Sequence, residues 1–445
     1  MNKRLLAALL SLCFVNLMGC SETTRADSFY VGGIQVNEPN NQTWIQNLKA
    51  AEMNTVAVTV YAYQGDWDSD NLWFDVENTG VVEEIRAAKA GGLRVVLILR
   101  VALDHAFDRN TFLWHGLIMP RTDEQLASWF EKYTKFVTQW AKIAEAEGVD
   151  VLGIGSELNS LTSTQPIAAM PNLERYYLDN EEQQTRIQEL LENQSQIPAD
   201  QLWTWGDRHF DTLETFLQSE LKAWQTWAKQ ISWQDSPDPI AKINQRRHLL
   251  EHNWRKLIRQ TKRIYTGNVT YAANFDQYQQ VGFWDVLDYV GVNAYFSLRE
   301  DFEAELKEED LATTLEAGWL TVLNEIEAFR QTELITDKPV IFTELGYTRW
   351  QNSTVEPWAY SGFSLVDSDT DDRVVVWQKQ PLNPKERAIA IQALYNTLQA
   401  NYPNLLKGIL YWKLSTQPAH TAIEPFVLVL NNSDSLQEAL TQFIK

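Results

Sequence analysis

Val95-Val96-Leu97-Ile98-Leu99 is an apolar run without a single polar side chain. Successive side chains of a strand point to opposite faces, so a strand with this sequence is apolar on both faces. Strands buried on both faces are typical of parallel sheets that are covered by helices, whereas antiparallel sheets commonly alternate apolar and polar residues. The run therefore indicates the α/β class with a parallel sheet.

Similar extended runs recur along the chain and alternate with segments of helical periodicity, which is the pattern of consecutive βα units. The predicted strands are Tyr30–Val36, Thr55–Tyr63, Arg94–Leu103, Val149–Glu157, Val269–Phe275, Tyr289–Tyr295, Pro339–Tyr347 and Gly408–Leu414. The predicted helices include Trp44–Ala51, Val81–Ala90, Glu124–Glu147, Leu311–Arg330, Pro384–Ala400 and Ser435–Lys445. Eight strands in this arrangement predict a (β/α)8 TIM barrel, which we expect to occupy residues 29–445.

The fourth and fifth predicted strands are separated by far more chain than one crossover helix needs. The excess, residues 165–263, is rich in Gln and Glu and contains two stretches with apolar residues at helical spacing. We predict a helical insertion here, folded as an antiparallel pair of helices over the barrel rim. A lid over a cleft, a partner surface and an oligomer contact are all compatible with this pattern.

The first residues have the pattern of a targeting segment. Lys3 and Arg4 form a positive region, an apolar region follows, and Leu17-Met18-Gly19-Cys20 resembles a bacterial lipobox. This pattern predicts a lipoprotein signal peptide over residues 1–19, a lipid on Cys20 and a linker over residues 20–28. We therefore expect a membrane-anchored protein of the bacterial cell envelope, at the outer membrane or the periplasmic face. An ordinary signal peptide that is cut nearby is the alternative.

The composition limits the classes of partner. The net charge of −21 becomes −23 when Lys3 and Arg4 are removed with the signal peptide. A chain this acidic disfavours nucleic acid and anionic membrane surfaces, but it does not affect a neutral ligand. The chain has 18 Trp residues, and indole rings stack on the C–H faces of sugars, although most Trp residues in any protein belong to its core.

Two glutamates close predicted barrel strands. Glu157 ends the fourth strand and Glu344 ends the seventh. A carboxylate at the end of an apolar strand costs several kcal/mol to desolvate unless it faces a solvated site. Hydrolysis of a glycosidic bond needs such a pair, one as a proton donor and the other as a nucleophile or base. Either glutamate alone can instead cap a helix or pair with a basic residue at the rim.

The residues around both glutamates resemble glycoside hydrolase family 113 of clan A. The matching motifs are Gly155-Ser156-Glu157-Leu158-Asn159, Tyr271-Ala272-Ala273-Asn274-Phe275, Phe283-Trp284-Asp285, the run from Asp288 to Tyr295, the run from Phe342 to Tyr347, and Glu356-Pro357-Trp358. The likeness runs from about Tyr30 to Leu414 and skips the insertion. It implies a retaining, endo-acting β-1,4-mannanase-like enzyme without a metal or other cofactor. Glu157 then corresponds to the acid/base and Glu344 to the nucleophile.

The resemblance also implies roles for residues near the other strand ends. Tyr295 corresponds to a hydroxyl donor to Glu344, and Trp412 to the stacking platform beneath the cleaved sugar. Packing at the rim and in the core, respectively, is the alternative for these two residues. Asn274 and Asn159 are candidates for hydrogen bonds to sugar hydroxyls, or for helix and turn caps.

Further candidates lie in loops after the third and seventh strands. Trp114-His115-Gly116 stands where the family is expected to have Trp-Arg-Gly, so His115 departs from the pattern at a predicted substrate-binding position. Trp350, Trp358 and Trp377 are predicted walls of a sugar cleft, with packing inside their own loop as the alternative.

Other classes of function have weaker signals. His248, Glu251 and His252 have the spacing of an inverted zinc-protease motif, but they lie in the predicted insertion among basic and aromatic residues. No Walker, dinucleotide or nucleophile-elbow motif occurs. We therefore predict a glycoside hydrolase for a β-linked, mannan-type or glucan-type polysaccharide or oligosaccharide. A glycan-binding lipoprotein without turnover and an envelope interaction module are the alternatives.

Overall fold

The computed structural model describes residues 29–75, 78–165, 180–192, 203–205, 208–300, 306–358, 364–367, 373–376 and 380–445. The predicted signal peptide, Cys20 and the whole of the predicted linker lie outside the described residues, and so does Trp377. No helix in the described ranges is long and apolar enough to cross a membrane.

The described chain forms a closed barrel of eight parallel strands. The strands are β1 (Tyr30–Gln35), β2 (Thr55–Gln64), β3 (Arg94–Leu103), β4 (Val151–Ser156), β5 (Asn268–Asn274), β6 (Val290–Ala294), β7 (Val340–Leu345) and β8 (Leu406–Ser415). Each strand pairs in parallel with its neighbours in chain order, and the ring closes because β1 pairs with both β8 and β2. The predicted TIM barrel is confirmed.

The outer layer consists of helices and short additional strands. The helices are α1 (Asn41–Ala50), α2 (Thr79–Ala90), α3 (Asp123–Glu147), α4 (Asn159–Thr162), α5 (Asn180–Glu192), α6 (Leu213–Ile231), α7 (Pro239–Thr261), α8 (Glu308–Thr332), α9 (Pro384–Asn401) and α10 (Ser435–Thr441). The additional strands are Leu72–Phe74, Trp203–Trp205, Arg208–Phe210, Ser364–Asp367, Arg373–Val376 and Leu428–Val429.

The ends of α3 illustrate how the local sequence sets a helix. The Thr122 side chain accepts a hydrogen bond from the backbone N–H of Gln125, and the Gln125 side chain accepts one from the backbone N–H of Thr122, so a capping box starts the helix. The helix ends at Gly148, whose φ of 67° lies in the left-handed region that glycine adopts without strain. The apolar face between these caps packs on the barrel.

The alternation of side chains in the strands produces two cores. In β3, Val95, Leu97 and Leu99 belong to the layer between the sheet and the helices. Val96 and Ile98 point into the barrel, where they meet inward-facing residues of other strands. Both faces of β3 are therefore buried, which is the physical reason for its continuous apolar sequence.

The segment between β4 and β5 combines additional chain with a helix of the outer ring. Trp254, on α7, is fully buried and stacks on Phe283, with ring centroids 5.3 Å apart. It also contacts Phe130 and Tyr133 of α3. The residues predicted as the insertion thus include the helix that completes the fourth βα unit. Helical periodicity is the same in a crossover helix and an inserted one, so periodicity alone does not separate them.

Candidate active site

A cavity of about 660 Å³ opens at the carboxyl ends of the barrel strands. Its lining residues are Arg100, Trp114, His115, Glu157, Asn274, Phe275, Asp276, Tyr295, Glu344, Trp358, Trp412 and Phe426. Eight of the residues predicted from the sequence meet here, namely Glu157, Glu344, Tyr295, Trp412, Asn274, Trp114, His115 and Trp358. This end of the barrel is where enzymes with this fold place their active sites.

Glu344 lies in β7 and is 3% exposed. The Tyr295 hydroxyl donates a hydrogen bond of 2.7 Å to Glu344 Oε2, and the Arg100 guanidinium forms an ion pair with Glu344 Oε1. Burial raises the pKa of the Tyr295 hydroxyl well above its usual value, so this group remains a donor. A cation and a hydroxyl donor together stabilise the negative charge of the Glu344 carboxylate.

Glu157 follows β4 directly and has a left-handed backbone with φ of 51°. Its backbone N–H donates to the Ala272 carbonyl oxygen of β5 at 2.9 Å. The Asn293 amide donates to Glu157 Oε1 at 2.8 Å, and His115 Nε2 lies 3.2 Å from Glu157 Oε2. Asn293 is in turn oriented by the Thr343 hydroxyl, which donates to Asn293 Oδ1 at 2.8 Å. Both carboxylate oxygens of Glu157 are therefore held by side chains from other strands or loops.

The pKa of Glu157 is shifted in the direction opposite to the one that is typical of a proton donor. A proton donor in apolar surroundings is expected to have a raised pKa. Burial does raise the pKa of Glu157, but the hydrogen bond and charge of His115, the charge of Arg100 and the Asn293 amide outweigh it. The net pKa of Glu157 is lowered, because hydrogen bonds and positive charges stabilise the ionised form.

Aromatic side chains form the floor and one wall of the cavity. Trp412, on β8, packs above the core inside the barrel, and the Arg100 guanidinium lies 4.9 Å from the centroid of its ring. Trp358 stacks on Phe275, with centroids 5.1 Å apart and an angle of 18° between the rings. Asn274, the last residue of β5, adds a polar side chain to this wall. A sugar ring needs both kinds of surface, since its C–H faces are apolar and its hydroxyls are polar.

Comparison with known proteins identifies the family. The sequence model of Glycoside Hydrolase Family 113 matches residues 33–166 and 242–376, which is more than half of the chain. The chain belongs to glycoside hydrolase family 113. It is therefore a glycoside hydrolase, and its substrate is a polysaccharide or oligosaccharide. The family model leaves out residues 167–241, which contain α5 and α6.

Solved structures of family 113 enzymes share the fold. A family 113 β-mannanase from Alicyclobacillus acidocaldarius has a TM-score of 0.57 at 14% identity, over 94% of this chain and 98% of that one. A structure described as a complex of a family 113 β-1,4-mannanase has a TM-score of 0.54 at 16% identity, over 94% and 99%. A search of curated proteins found no match. At these identities the structures establish the barrel and nothing finer.

Two predicted binding residues do not line the cavity. Asn159 starts α4 and lines a neighbouring cavity between the barrel rim and helices α6 and α7. Trp114 and Asp276 line both cavities, so Asn159 is close to the site but behind it. Trp350 forms an isolated bridge with Leu382 beside the rim and is not part of the cavity wall.

Three polar residues of the site were missed in the sequence. Arg100 interrupts the apolar residues of β3, which is the same signal that identified the two glutamates. Asn293 similarly interrupts the short apolar strand β6. Asp276 lies in the turn after β5, and although its side chain reaches solvent, desolvation by the surrounding protein raises its pKa to about 6. A charged or amide group inside an apolar barrel strand is therefore the same kind of signal for a site as a glutamate at a strand end.

The described part of the chain contains no cluster of three or more His, Cys, Asp or Glu residues that could hold a metal ion. In the sequence His248 to His252, which has the spacing of an inverted zinc-protease motif, Glu251 accepts a hydrogen bond of 2.9 Å from Arg255.

Proposed function

We propose that this family 113 enzyme cleaves β-1,4-linked mannan-type polysaccharides or oligosaccharides with retention of configuration. The observation that carries the proposal is the different environment of the two glutamates in one cavity. Glu344 is bound by Arg100 and Tyr295, which stabilise the carboxylate form that a nucleophile needs. Glu157 is bound by the His115 ring and the Asn293 amide instead of a guanidinium and a phenol, so the two carboxyl groups have different partners, as the two different roles require.

In the first step, an oxygen of Glu344 attacks the anomeric carbon while Glu157 donates its proton to the glycosidic oxygen. The bond between these two sugar atoms breaks, and the shortened saccharide leaves. In the second step, the Glu157 carboxylate takes a proton from a water molecule. The oxygen of that water attacks the same carbon, and Glu344 is released as a carboxylate.

The preference for mannan is supported by the structural neighbours, which are described as β-mannanases, and glucan-type polymers are the alternative. The test is incubation of the full chain with mannan, glucomannan and cellulose oligomers, with product detection by chromatography. We expect release of shorter mannose-containing products. A preparation of folded protein that cleaves none of these substrates would leave a glycan-binding protein without turnover as the better interpretation.

The roles of the two glutamates are tested with Glu157→Gln and Glu344→Gln. Each change should reduce kcat by at least about 10³-fold, because each removes a group that takes part in bond breaking. Glu251→Gln, on the outside of α7, is the matched control and should retain full activity. Retention is checked by NMR of the first product, which should have the β configuration. A first product with the α configuration would exclude the double displacement.

We also propose that Cys20 carries a lipid and anchors the enzyme to the bacterial cell envelope. The support is the sequence Leu17-Met18-Gly19-Cys20 at the end of an apolar region. Metabolic labelling with a fatty acid should mark the wild type but not Cys20→Ala, and the variant should leave the membrane fraction. Equal labelling of both proteins would contradict the anchor without affecting the assignment of the enzyme.

A further inference from the structure

Two aromatic rings are exposed side by side at the end of β2. Tyr63 and Trp73 lie opposite each other where β2 pairs with the short antiparallel strand Leu72–Phe74. Their ring centroids are 6.2 Å apart, the rings are inclined by 20°, and the residues are 44% and 45% exposed. We name them the strand-2 aromatic pair. Among the described residues, the other tryptophan with comparable exposure is Trp358, which lines the catalytic cavity.

The residues next to the strand-2 aromatic pair in sequence point outward, toward helix α3. Phe74 packs against Phe136 of α3, and Gln64 accepts a hydrogen bond from Trp129 of the same helix. These residues therefore occupy the outer face of the strands. Because side chains alternate along a strand, Tyr63 and Trp73 occupy the opposite face.

That opposite face is the one that leads into the catalytic cavity. Tyr61 has the same orientation as Tyr63, and it pairs in register with Arg100, which lines the cavity and binds Glu344. Tyr63 lies two residues further along β2, about 7 Å beyond Tyr61. The strand-2 aromatic pair thus begins close to the edge of the catalytic cavity.

A second aromatic pair, with one exposed ring and one half-buried ring, lies across the mouth. Trp358, 47% exposed, stacks on Phe275. Phe275 follows β5, and Trp358 lies in the loop after β7. The segments that carry the two rings therefore follow the two strands next to β6. In a ring of eight strands, β6 is opposite β2. The two aromatic pairs are therefore on opposite sides of the cavity that contains Glu157 and Glu344.

We propose that the strand-2 aromatic pair is a distal sugar-binding subsite, on which a pyranose ring of the polysaccharide stacks beyond the catalytic cavity. This rests on the proposed function. The ligand class is a neutral pyranose polymer, since the rings offer an apolar surface that matches the C–H face of a sugar. A long chain reaches the pair while its scissile bond lies between the glutamates, and a short oligosaccharide bound in the cavity does not.

The test compares a mannan polymer with the shortest oligosaccharide that the wild type cleaves. Trp73→Ala should lower kcat/KM for the polymer by roughly 3- to 10-fold, and kcat/KM for the short substrate should not change. Trp73→Phe keeps an aromatic ring and should restore most of the loss. Leu334→Ala is the control, because Leu334 is also exposed but lies between α8 and β7, at the other end of the barrel.

Unchanged cleavage of the polymer by Trp73→Ala would overturn the subsite. An equal loss of kcat/KM on both substrates would also overturn it, because such a loss indicates damage to the cavity that contains the glutamates.

If the wild type cleaves no polymer, the proposed function fails, and a binding experiment then tests the subsite separately. Native gels that contain soluble galactomannan should retard the wild type and Leu334→Ala more than Trp73→Ala. Equal retardation of all three proteins would refute the subsite.

Discussion

His115 Nε2 and Glu157 Oε2 are 3.2 Å apart in the lining of the cavity at the barrel mouth. This contact from His115 helps to lower the pKa of the Glu157 carboxyl group, because a hydrogen bond and a positive charge stabilise the ionised form. The pKa of the proposed proton donor therefore depends on a side chain from the loop after β3. The arginine that the family resemblance leads us to expect at this position would carry a fixed positive charge.

The first prediction concerns the pH dependence of this pair. His115→Ala removes a hydrogen bond and a positive charge that lower the pKa of Glu157, so the pKa should rise. Deprotonation of Glu157 then requires a higher pH, and the alkaline limb of the kcat/KM profile should move to higher pH. His105→Gln is the control, since His105 contacts the Leu113 carbonyl outside the cavity. A limb that stays in place would exclude coupling between His115 and Glu157.

The second prediction concerns the hydroxyl group on Glu344. Tyr295→Phe removes the donor to Oε2 but keeps the ring, and it should lower kcat/KM by roughly 10- to 100-fold, because a hydrogen bond to a charged group is lost. Tyr347→Phe is a matched control, because the Tyr347 hydroxyl is buried without a hydrogen-bond partner among the described residues. Similar losses in both variants would indicate that Tyr295 acts through packing alone.

The third prediction concerns the buried ion pair of Arg100 and Glu344. Arg100→Met leaves the Glu344 carboxylate without its cation and should lower the free energy of unfolding by about 3–5 kcal/mol. The double variant Arg100→Met/Glu344→Gln removes both charges and should recover most of that loss. Denaturant unfolding of the wild type and the three variants measures the coupling. Additive losses in the double variant would mean that the two charges do not interact.

The fourth prediction concerns stability rather than catalysis. Glu84, on α2, is buried and accepts a hydrogen bond from the Trp44 indole, and burial raises its pKa to about 7. The folded state therefore holds a proton more tightly than the unfolded state. As the pH rises from about 4.5 to about 7, this group should cost up to about 3 kcal/mol of stability.

Glu84→Gln keeps an oxygen acceptor for Trp44 and cannot ionise. The variant should therefore be more stable than the wild type at and above neutral pH, and the difference should disappear near pH 4.5, the ordinary pKa of the group. Thermal unfolding of the wild type and of Glu84→Gln, measured between pH 4.5 and neutral pH, tests this prediction. A difference that does not depend on pH would assign the effect to packing or to the hydrogen bond.

The barrel and the two glutamates at its mouth could be predicted because their signals are local. The run from Val95 to Leu99 is apolar on both faces, as a strand with helices outside and a packed interior must be. Glu157 and Glu344 stand at or beside the ends of such strands, where a charge is tolerated if it faces a solvated cavity. The chain alone thus determined the fold class and the end of the barrel that carries the site.

The partners of these glutamates were decided by the tertiary structure. Arg100 reaches Glu344, and His115 reaches Glu157, from distant parts of the chain. Ring closure and strand register bring them together, and no periodicity in the sequence encodes a distance across a barrel. The direction of the pKa shift of Glu157 was also decided by the tertiary structure. It depends on a balance between burial and neighbouring charges, and this balance exists only once those neighbours are in place.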